Sequence, residues 1–154
     1  MTTRAQTLSI GFTGVRRRAG DFLEMSKPRV VLMVLTSILV GFYLGARGVV
    51  DYWVLLQTLA ATALTTGGTL ALNQYLEREV DAQMERTRLR PLPDGRLKPA
   101  EALGFGVILV TAGLLYATFA VNVLTGFLTA LIVGAYLLLY TPLKVKTEFC
   151  NLPG

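Results

Sequence analysis

Three long stretches without a charged side chain limit what this sequence can fold into. They cover residues 30–46, 52–76 and 102–143, and their lengths are 17, 25 and 42 residues. A helix needs about 20 apolar residues to cross a bilayer, so the first stretch is near the minimum, the second is ample and the third has room for two crossings. A buried core helix could explain any one stretch, but three in 154 residues favour the membrane. The sequence therefore predicts an all-α integral membrane helical bundle with four transmembrane helices.

The charged residues divide the chain into segments. We expect a basic cytoplasmic tail at residues 1–20 and a membrane domain at residues 21–147. Residues 148–154 form a short tail that resembles the end of a truncated chain. Within the membrane domain we expect four helices, at about residues 30–46, 52–76, 102–121 and 123–140. Between the second and the third helix we expect one polar loop, at residues 77–101.

The basic residues predict the orientation of the helices. The net charge is +5, and every basic residue except Arg47 falls in the N-terminal tail, near the polar loop or at the C-terminal end. Four crossings place these three regions on one side of the membrane, and basic residues favour the cytoplasmic side. We therefore expect both termini and the polar loop to face the cytoplasm of a bacterial plasma (inner) membrane, with the mitochondrial inner membrane as the alternative. The positive charge reflects topology and does not predict nucleic-acid binding.

The composition excludes several kinds of site within this chain. The sequence has one cysteine, Cys150, and no histidine. An internal disulfide, a cysteine metal cluster, a histidine base and a histidine ligand for a haem iron are therefore excluded.

The polar loop and the helix before it carry the most informative side chains. Asn73, Glu77 and Asp81 are four residues apart, so on a helix they share one face and drift by about 40° per step. Two carboxylates and an amide oxygen form a hard-oxygen site, of the kind that binds Mg²⁺ together with substrate phosphates. An ordinary charged loop would explain the acidic residues alone. Asn73, however, lies inside the apolar stretch, where polar groups are costly and usually functional.

A basic, proline-rich segment follows the acidic residues. Arg86 and Arg90 carry guanidinium groups that match phosphate oxygens, and Gly95 and several prolines oppose a regular helix. Acidic residues that hold Mg²⁺ beside arginines that hold phosphate oxygens would together bind a diphosphate. Upstream, residues 62–69 are rich in threonine and glycine, which favours close helix packing or a polar cavity.

The stretch resembles the first aspartate-rich motif of the UbiA superfamily of intramembrane prenyltransferases, which has the form N-x-x-x-D-x-x-x-D. The resemblance is strongest to the branch of the superfamily that farnesylates haem, and it covers about residues 22–147. It depends on three separated segments: Asn73 to Pro99, with Glu77, Asp81, Met84, Arg86-Thr87 and Arg90-Pro91-Leu92; Lys27-Pro28-Arg29-Val30; and Tyr140-Thr141-Pro142-Leu143-Lys144.

The resemblance implies Mg²⁺-dependent transfer of a farnesyl group from farnesyl diphosphate to a vinyl group of haem B, which gives haem O. Asn73, Glu77 and Asp81 would bind Mg²⁺ and diphosphate, Tyr140 would be a polar or cation-stabilising catalytic group, and residues 77–101 would be the active-site loop. The implied diphosphate contacts are Lys27, Arg29, Arg86, Arg90 and Lys144. The first, second and fourth helices would wall a tunnel for the isoprenoid. The implied partners are membrane lipid and a haem A synthase or oxidase assembly protein.

Two departures from the family pattern stand out. Glu77 occupies a position that is usually aspartate, which keeps the oxygen ligands but changes their reach. Family members also continue for several more helices and carry a second aspartate-rich motif. We therefore expect this chain to be the N-terminal half of a larger multi-helix prenyltransferase fold, which need not be active alone. Three alternatives stay open: another UbiA-type prenyltransferase of the quinone or chlorophyll pathway, a non-catalytic truncated membrane protein, and a small transporter.

Overall fold

The computed structural model describes residues 18–46, 48–85, 87 and 89–141, and within them it contains helices, turns and no strand. The all-α prediction is therefore confirmed. In chain order the helices are α1 (described over residues 18–25), α2 (Pro28–Gly45), α3 (Tyr52–Gln83), α4 (Pro99–Tyr116) and α5 (Val123–Ala135). Helices α4 and α5 each continue as a π-helical segment, which covers Ala117–Val121 and Tyr136–Tyr140 respectively.

The helices have the length and the surface of membrane-spanning segments. Large apolar side chains are exposed along the bundle, and Leu44 and Phe119 reach 83% and 84% exposure. Helix α2 buries none of its residues. An apolar surface this extensive requires lipid as its solvent. The predicted membrane helical bundle is confirmed by three helices long and apolar enough to cross, Pro28–Gly45, Tyr52–Gln83 and Pro99–Val121, and by a shorter apolar one, Val123–Leu139.

Helix α3 is the centre of the bundle. Helices α2 and α4 pack against it, and the π-helical segments after α4 and α5 also contact it. Helix α4 approaches closely because glycines line the contact. A β-carbon at Gly68 would lie 2.7 Å from the backbone nitrogen of Val110, and one at Gly106 would lie 2.7 Å from Cγ of Leu72. Close packing, one of the two roles left open for the small residues at 62–69, is therefore observed.

The polar loop is shorter than the predicted span of residues 77–101. Helix α3 continues through Gln83 and α4 begins at Pro99, so the loop covers residues 84–98. After residue 76, α3 contains neither glycine nor proline, and charged residues alone do not interrupt its backbone hydrogen bonds. Proline is tolerated in the first turn of a helix, which explains the early start of α4.

The polar loop, residues 84–98, is folded against α1. Its Leu92 and Leu97 are buried in one cluster with Met25 of α1 and with alanines of α3 and α4. Pro91 is fully buried as well. The part of the loop around Pro91, Leu92 and Leu97 therefore belongs to the packed structure on this side of the bundle.

Candidate active site

Helix α3 places three polar side chains on one buried face near its C-terminal end. Asn73, Glu77 and Asp81 are 3%, 5% and 5% exposed. All three belong to the same continuous helix, so their spacing puts them on successive turns of one face. Burying carboxylates is unfavourable unless they are paired. This acidic face is therefore suited to holding cations or hydrogen-bond donors.

The Asp81 end of the acidic face is covered by the polar loop. Arg90 Nη1 lies 2.5 Å from Asp81 Oδ2. The Thr87 hydroxyl donates to the carbonyl oxygen of Asp81 at 2.9 Å, and the Arg90 amide donates to the carbonyl oxygen of Thr87 at 3.0 Å. These bonds fold the loop back over the end of α3. The structure thus brings together Asp81 and Arg90, two of the predicted site residues.

The Asn73 end of the acidic face is tied to the end of the fourth apolar helix. The Thr141 hydroxyl donates to Asn73 Oδ1 at 2.9 Å, and it also lies 3.1 Å from the Tyr136 carbonyl oxygen. Thr141 is 2% exposed. Thr141 belongs to one of the three segments of the resemblance but was not a predicted site residue. A hydroxyl next to a proline at the end of an apolar stretch was the signal that could have identified it.

The remaining predicted site residues lie at the start of α2 or outside the described residues. Lys27 is partly buried at the junction of α1 and α2, where its backbone is left-handed with φ of 46°. Arg29 is exposed in the first turn of α2. Both precede Val30, which lines an apolar cavity. Outside the part of the chain that the structure describes lie Arg86, Lys144 and the side chain of Tyr140.

The apolar cavity has a volume of about 350 Å³ and lies between α2, α3 and α5. Aliphatic side chains of α2 and α5 form two of its walls, and threonines of α3 contribute to the third. The hydroxyls of Thr65 and Thr69 donate to carbonyl oxygens of α3 itself, each at 2.7 Å. These two hydroxyls are therefore engaged within the helix, and the aliphatic side chains of α2 and α5 make the lining mainly apolar. The threonine-rich segment thus lines a cavity, as one interpretation of the sequence expected, but the cavity is apolar rather than polar.

One stripe of α3 joins the cavity to the acidic face. Thr62, Thr66 and Thr69 line the cavity, and Asn73 follows Thr69 by four residues, with Glu77 four further on. Steps of three and four residues keep side chains on one side of a helix. An amphiphile could therefore lie along α3, with its apolar part in the cavity and a charged head at the acidic face.

The donors on the acidic face fit a hard cation such as Mg²⁺. All are oxygens: two carboxylates and one amide carbonyl. Within the described residues, no group of three or more acidic, cysteine or histidine side chains forms a complete metal cage. A partial set of this kind leaves coordination positions for water and phosphate, which is the usual way that Mg²⁺ is bound with phosphate substrates.

Another arginine of the loop, Arg96, forms a separate ionic cluster at α1 and was not a predicted site residue. Its guanidinium contacts Asp21 and Glu24 of α1 and Asp94 of the loop. Burial lowers the pKa of Arg96, but the attraction of Glu24 and Asp21 and the hydrogen bonds to Glu24 and Asp94 together raise the pKa overall. The guanidinium is therefore charged at any physiological pH.

The fold and the site define a class: a membrane helical bundle in which an acidic helix face adjoins an apolar cavity. The model of the UbiA prenyltransferase family matches residues 34–154. The chain belongs to this family, which confirms the resemblance inferred from the sequence.

The names of the similar proteins are more specific than the name of the family. The chain is 40% identical over 143 residues to a protoheme IX farnesyltransferase of Solibacter usitatus, covering 87% of the chain and 49% of that protein. It is 44% identical over 138 residues to one of Myxococcus xanthus, covering 88% of the chain and 46% of that protein. It is 42% identical over 127 residues to protoheme IX farnesyltransferase 1 of Pseudomonas putida, covering 81% of the chain and 43% of that protein. The chain thus spans about half the length of these curated relatives, and no solved structure matches it.

Proposed function

We propose that this chain takes part in the Mg²⁺-dependent transfer of a farnesyl group from farnesyl diphosphate to a vinyl group of haem B, which gives haem O. The observation that carries the proposal is the stripe of α3 that runs from the apolar cavity to the acidic face. The names of the relatives support the donor and the acceptor. Because the chain matches about half of each relative, we assign it one part of the reaction site, the part that binds the diphosphate and the isoprenoid.

The acidic face would bind the diphosphate through a metal ion. Asn73, Glu77 and Asp81 would hold Mg²⁺, which when bound supplies positive charge to offset the negative charge that develops on the leaving diphosphate. Arg90 already lies at Asp81, and its planar guanidinium matches two phosphate oxygens at once. The proposed further contacts to the diphosphate are Lys27, Arg29, Arg86 and Lys144.

The apolar cavity would bind the farnesyl chain. Burying each methylene group contributes about 0.8 kcal/mol, so the cavity would hold the chain and orient its first carbon at the acidic face. When the bond from this carbon to the diphosphate oxygen breaks, diphosphate leaves with the bonding electron pair and the allylic carbon becomes cation-like. The outer carbon of the haem vinyl group bonds to it, and the positive charge passes to the inner vinyl carbon. A water oxygen bonds there and releases a proton, which leaves the hydroxyl group of haem O. We assign Tyr140 the role of stabilising the positive charge on the allylic carbon.

The proposal also includes the orientation of the chain in the membrane and the molecules that contact it. The distribution of basic residues supports an orientation in which the acidic face and both termini are on the cytoplasmic side of a bacterial inner membrane. Membrane lipid would surround the exposed apolar side chains, and a haem A synthase or an oxidase assembly protein would receive the product.

Mg²⁺-dependent binding of farnesyl diphosphate to the purified chain in detergent micelles tests the proposal. We expect Asp81→Asn to weaken this binding by about tenfold or more, because hydrogen bonds and ion pairs of charged groups contribute about 1.5–3 kcal/mol. Glu79→Gln is the matched control. Glu79 is on the same helix, but its side chain is 82% exposed and it pairs with Arg78 at the surface. Equal weakening by both variants, or binding that is indifferent to Mg²⁺, would contradict the site.

Mass spectrometry of the product tests the acceptor. Membranes that contain the chain, together with the part of a protoheme IX farnesyltransferase that the chain does not match, are incubated with farnesyl diphosphate, haem B and MgCl₂. A farnesylated haem is the expected product. A prenylated quinone precursor in place of farnesylated haem would indicate another UbiA-type prenyltransferase. Tight, Mg²⁺-dependent binding without any product, even with the remaining part supplied, would indicate a non-catalytic binding protein.

A further inference from the structure

Arg96 connects the polar loop to α1 through all three nitrogen atoms of its guanidinium. Nη1 lies 2.6 Å from Asp21 Oδ1 and 3.3 Å from Glu24 Oε2, both on α1. Nε lies 3.0 Å from Asp94 Oδ2, and Nη2 donates to the carbonyl oxygen of Leu89 at 2.7 Å. One side chain therefore joins two carboxylates of α1 to two separate points of the loop.

The contact with Asp21 is the strongest of these links. Asp21 is 6% exposed, and the Arg96 side chain is 27% exposed. Removing one partner of a buried ion pair leaves the other charge without compensation, which is strongly unfavourable. The bond to Leu89 is also charge-assisted, and such bonds are stronger than those between neutral groups. Arg96 therefore acts as a firm anchor for the loop.

The loop anchored by Arg96 is the one that carries Arg90 to the acidic face. Arg96 binds the carbonyl oxygen of Leu89, the residue directly before Arg90. On the other side, the amide of Asp94, whose side chain also binds Arg96, donates to the Arg90 carbonyl oxygen at 3.0 Å. The backbone of Arg90 is thus held on both sides by residues that contact Arg96.

We infer that Arg96 is a positioning residue for the diphosphate site, which holds Arg90 at Asp81 by fastening the loop to α1. The inference rests on the proposed function. Arg96 does not touch the acidic face through any contact seen in the described residues; it acts through the loop and through Arg90. Its loss should therefore weaken diphosphate binding while the oxygen ligands of α3 stay in place.

The chain offers a matched control for this anchor. Arg18 of α1 lies 3.8 Å from Glu101 of α4, so it also links α1 to the region that follows the loop. Its side chain is 64% exposed and that of Glu101 is 34% exposed. Exposed ion pairs of this kind contribute little to stability. Arg18→Gln removes the same charge as Arg96→Gln from the same side of the bundle without loosening the loop.

Two measurements on the purified chain test the inference. The first is hydrogen–deuterium exchange of the loop amides, which reports whether the loop opens. The second is the affinity for inorganic diphosphate in the presence of MgCl₂, measured by calorimetry. We expect Arg96→Gln to speed exchange of residues 90–97 and to weaken diphosphate binding, each by about tenfold, since this is what the loss of a charge-assisted bond produces. Arg18→Gln should leave both measurements unchanged, and Arg96→Lys, which keeps the charge, should restore part of each.

A double-mutant cycle separates positioning from a general structural effect. If Arg96 acts through Arg90, then Arg96→Gln should cause no further loss of diphosphate affinity in an Arg90→Gln background, so the two losses do not add. Asp21→Asn breaks the same anchor from α1 and should repeat the effects of Arg96→Gln in a chain that retains Arg96. Exchange in α3 and the fluorescence of Trp53 should stay unchanged in every variant.

Additive losses in the double mutant, or faster loop exchange with unchanged diphosphate affinity, would overturn the positioning role while leaving the proposed function intact. A wild-type chain that does not bind diphosphate with Mg²⁺ would instead contradict the proposed function, and the positioning role with it. Unchanged loop exchange in both Arg96→Gln and Asp21→Asn would show that the loop has no anchor here.

Discussion

The contact between α3 and α4 should be unusually sensitive to a single methyl group at Gly68. A β-carbon there would meet the Val110 nitrogen at 2.7 Å, Leu109 Cβ at 2.8 Å and the Gly106 carbonyl oxygen at 2.9 Å. Two of these atoms belong to the backbone of α4, which cannot rotate away as a flexible side chain can. Gly68→Ala should therefore push the two helices apart.

The expected loss of stability follows from two opposing effects. Overpacking a tight contact costs about 1–3 kcal/mol. Replacing glycine by alanine in a helix gains up to about 1 kcal/mol. With the full gain subtracted, the net loss for Gly68→Ala is about 0–2 kcal/mol. The neighbouring Gly67 is the matched control, because a β-carbon there would lie 3.5 Å from Ser26 Cβ, an ordinary contact. Gly67→Ala should be neutral or stabilising by up to about 1 kcal/mol.

Unfolding in mixed micelles measures both variants. Increasing mole fractions of sodium dodecyl sulfate unfold the chain, and the loss of helix is followed by circular dichroism. Because Gly68 precedes the cavity residue Thr69, its alanine variant should also bind farnesyl diphosphate less tightly. Equal stability of Gly68→Ala and Gly67→Ala would refute the reasoning, since both gain the same helix propensity and differ only in the contact with α4.

Two further predictions concern the ends of the acidic face. Thr141→Val removes the hydroxyl that donates to Asn73 and should cost about 0.6–1.5 kcal/mol in the same unfolding assay. Thr129→Val is the control, because the Thr129 hydroxyl bonds to its own helix, and it should cost less. Equal costs would contradict a stabilising role for the contact between Thr141 and Asn73. Arg90→Gln frees the carboxylate of Asp81, so calorimetry should show tighter binding of Mg²⁺ alone but weaker binding of diphosphate with Mg²⁺. Changes of the same sign in both titrations would contradict the assignment of Arg90.

The sequence predicted the order and approximate extent of the membrane helices because apolar length is a local property. The ends of the helices were harder to predict, since they depend on capping and packing. Charge at Glu77 suggested a loop, but α3 continues through Gln83 because no residue there breaks a helix. Proline at position 99 suggested a loop as well, yet it occupies the first turn of α4, where proline is tolerated.

The acidic face was predictable from spacing, and its partners were only partly so. Four-residue steps place Asn73, Glu77 and Asp81 on one face of any helix. The contacts that hold this face and its loop join residues far apart in the chain. Thr141 and Asn73 are 68 residues apart, and Arg96 and Asp21 are 75 apart. No local pattern identifies the two partners of such a contact, so the pairing of Thr141 with Asn73 and that of Arg96 with Asp21 emerged only from the fold.

The pairing of Asp81 with Arg90 explains how the acidic face can exist in a packed membrane bundle. The Asp81 side chain is 7% exposed, and a buried carboxylate needs a compensating positive charge. Arg90 supplies that charge in this structure, through a loop that is fastened to α1 by Arg96. Under the proposed function, Arg90 would exchange this carboxylate for the phosphate oxygens of the substrate, and the carboxylate would help to hold the Mg²⁺ that accompanies them. The Asp81 carboxylate would then have a positively charged partner at each stage, because the cation that arrives with the substrate would take the place of Arg90. A loop that holds Arg90 firmly, rather than one that swings freely, keeps the guanidinium close enough to make this exchange over a short distance.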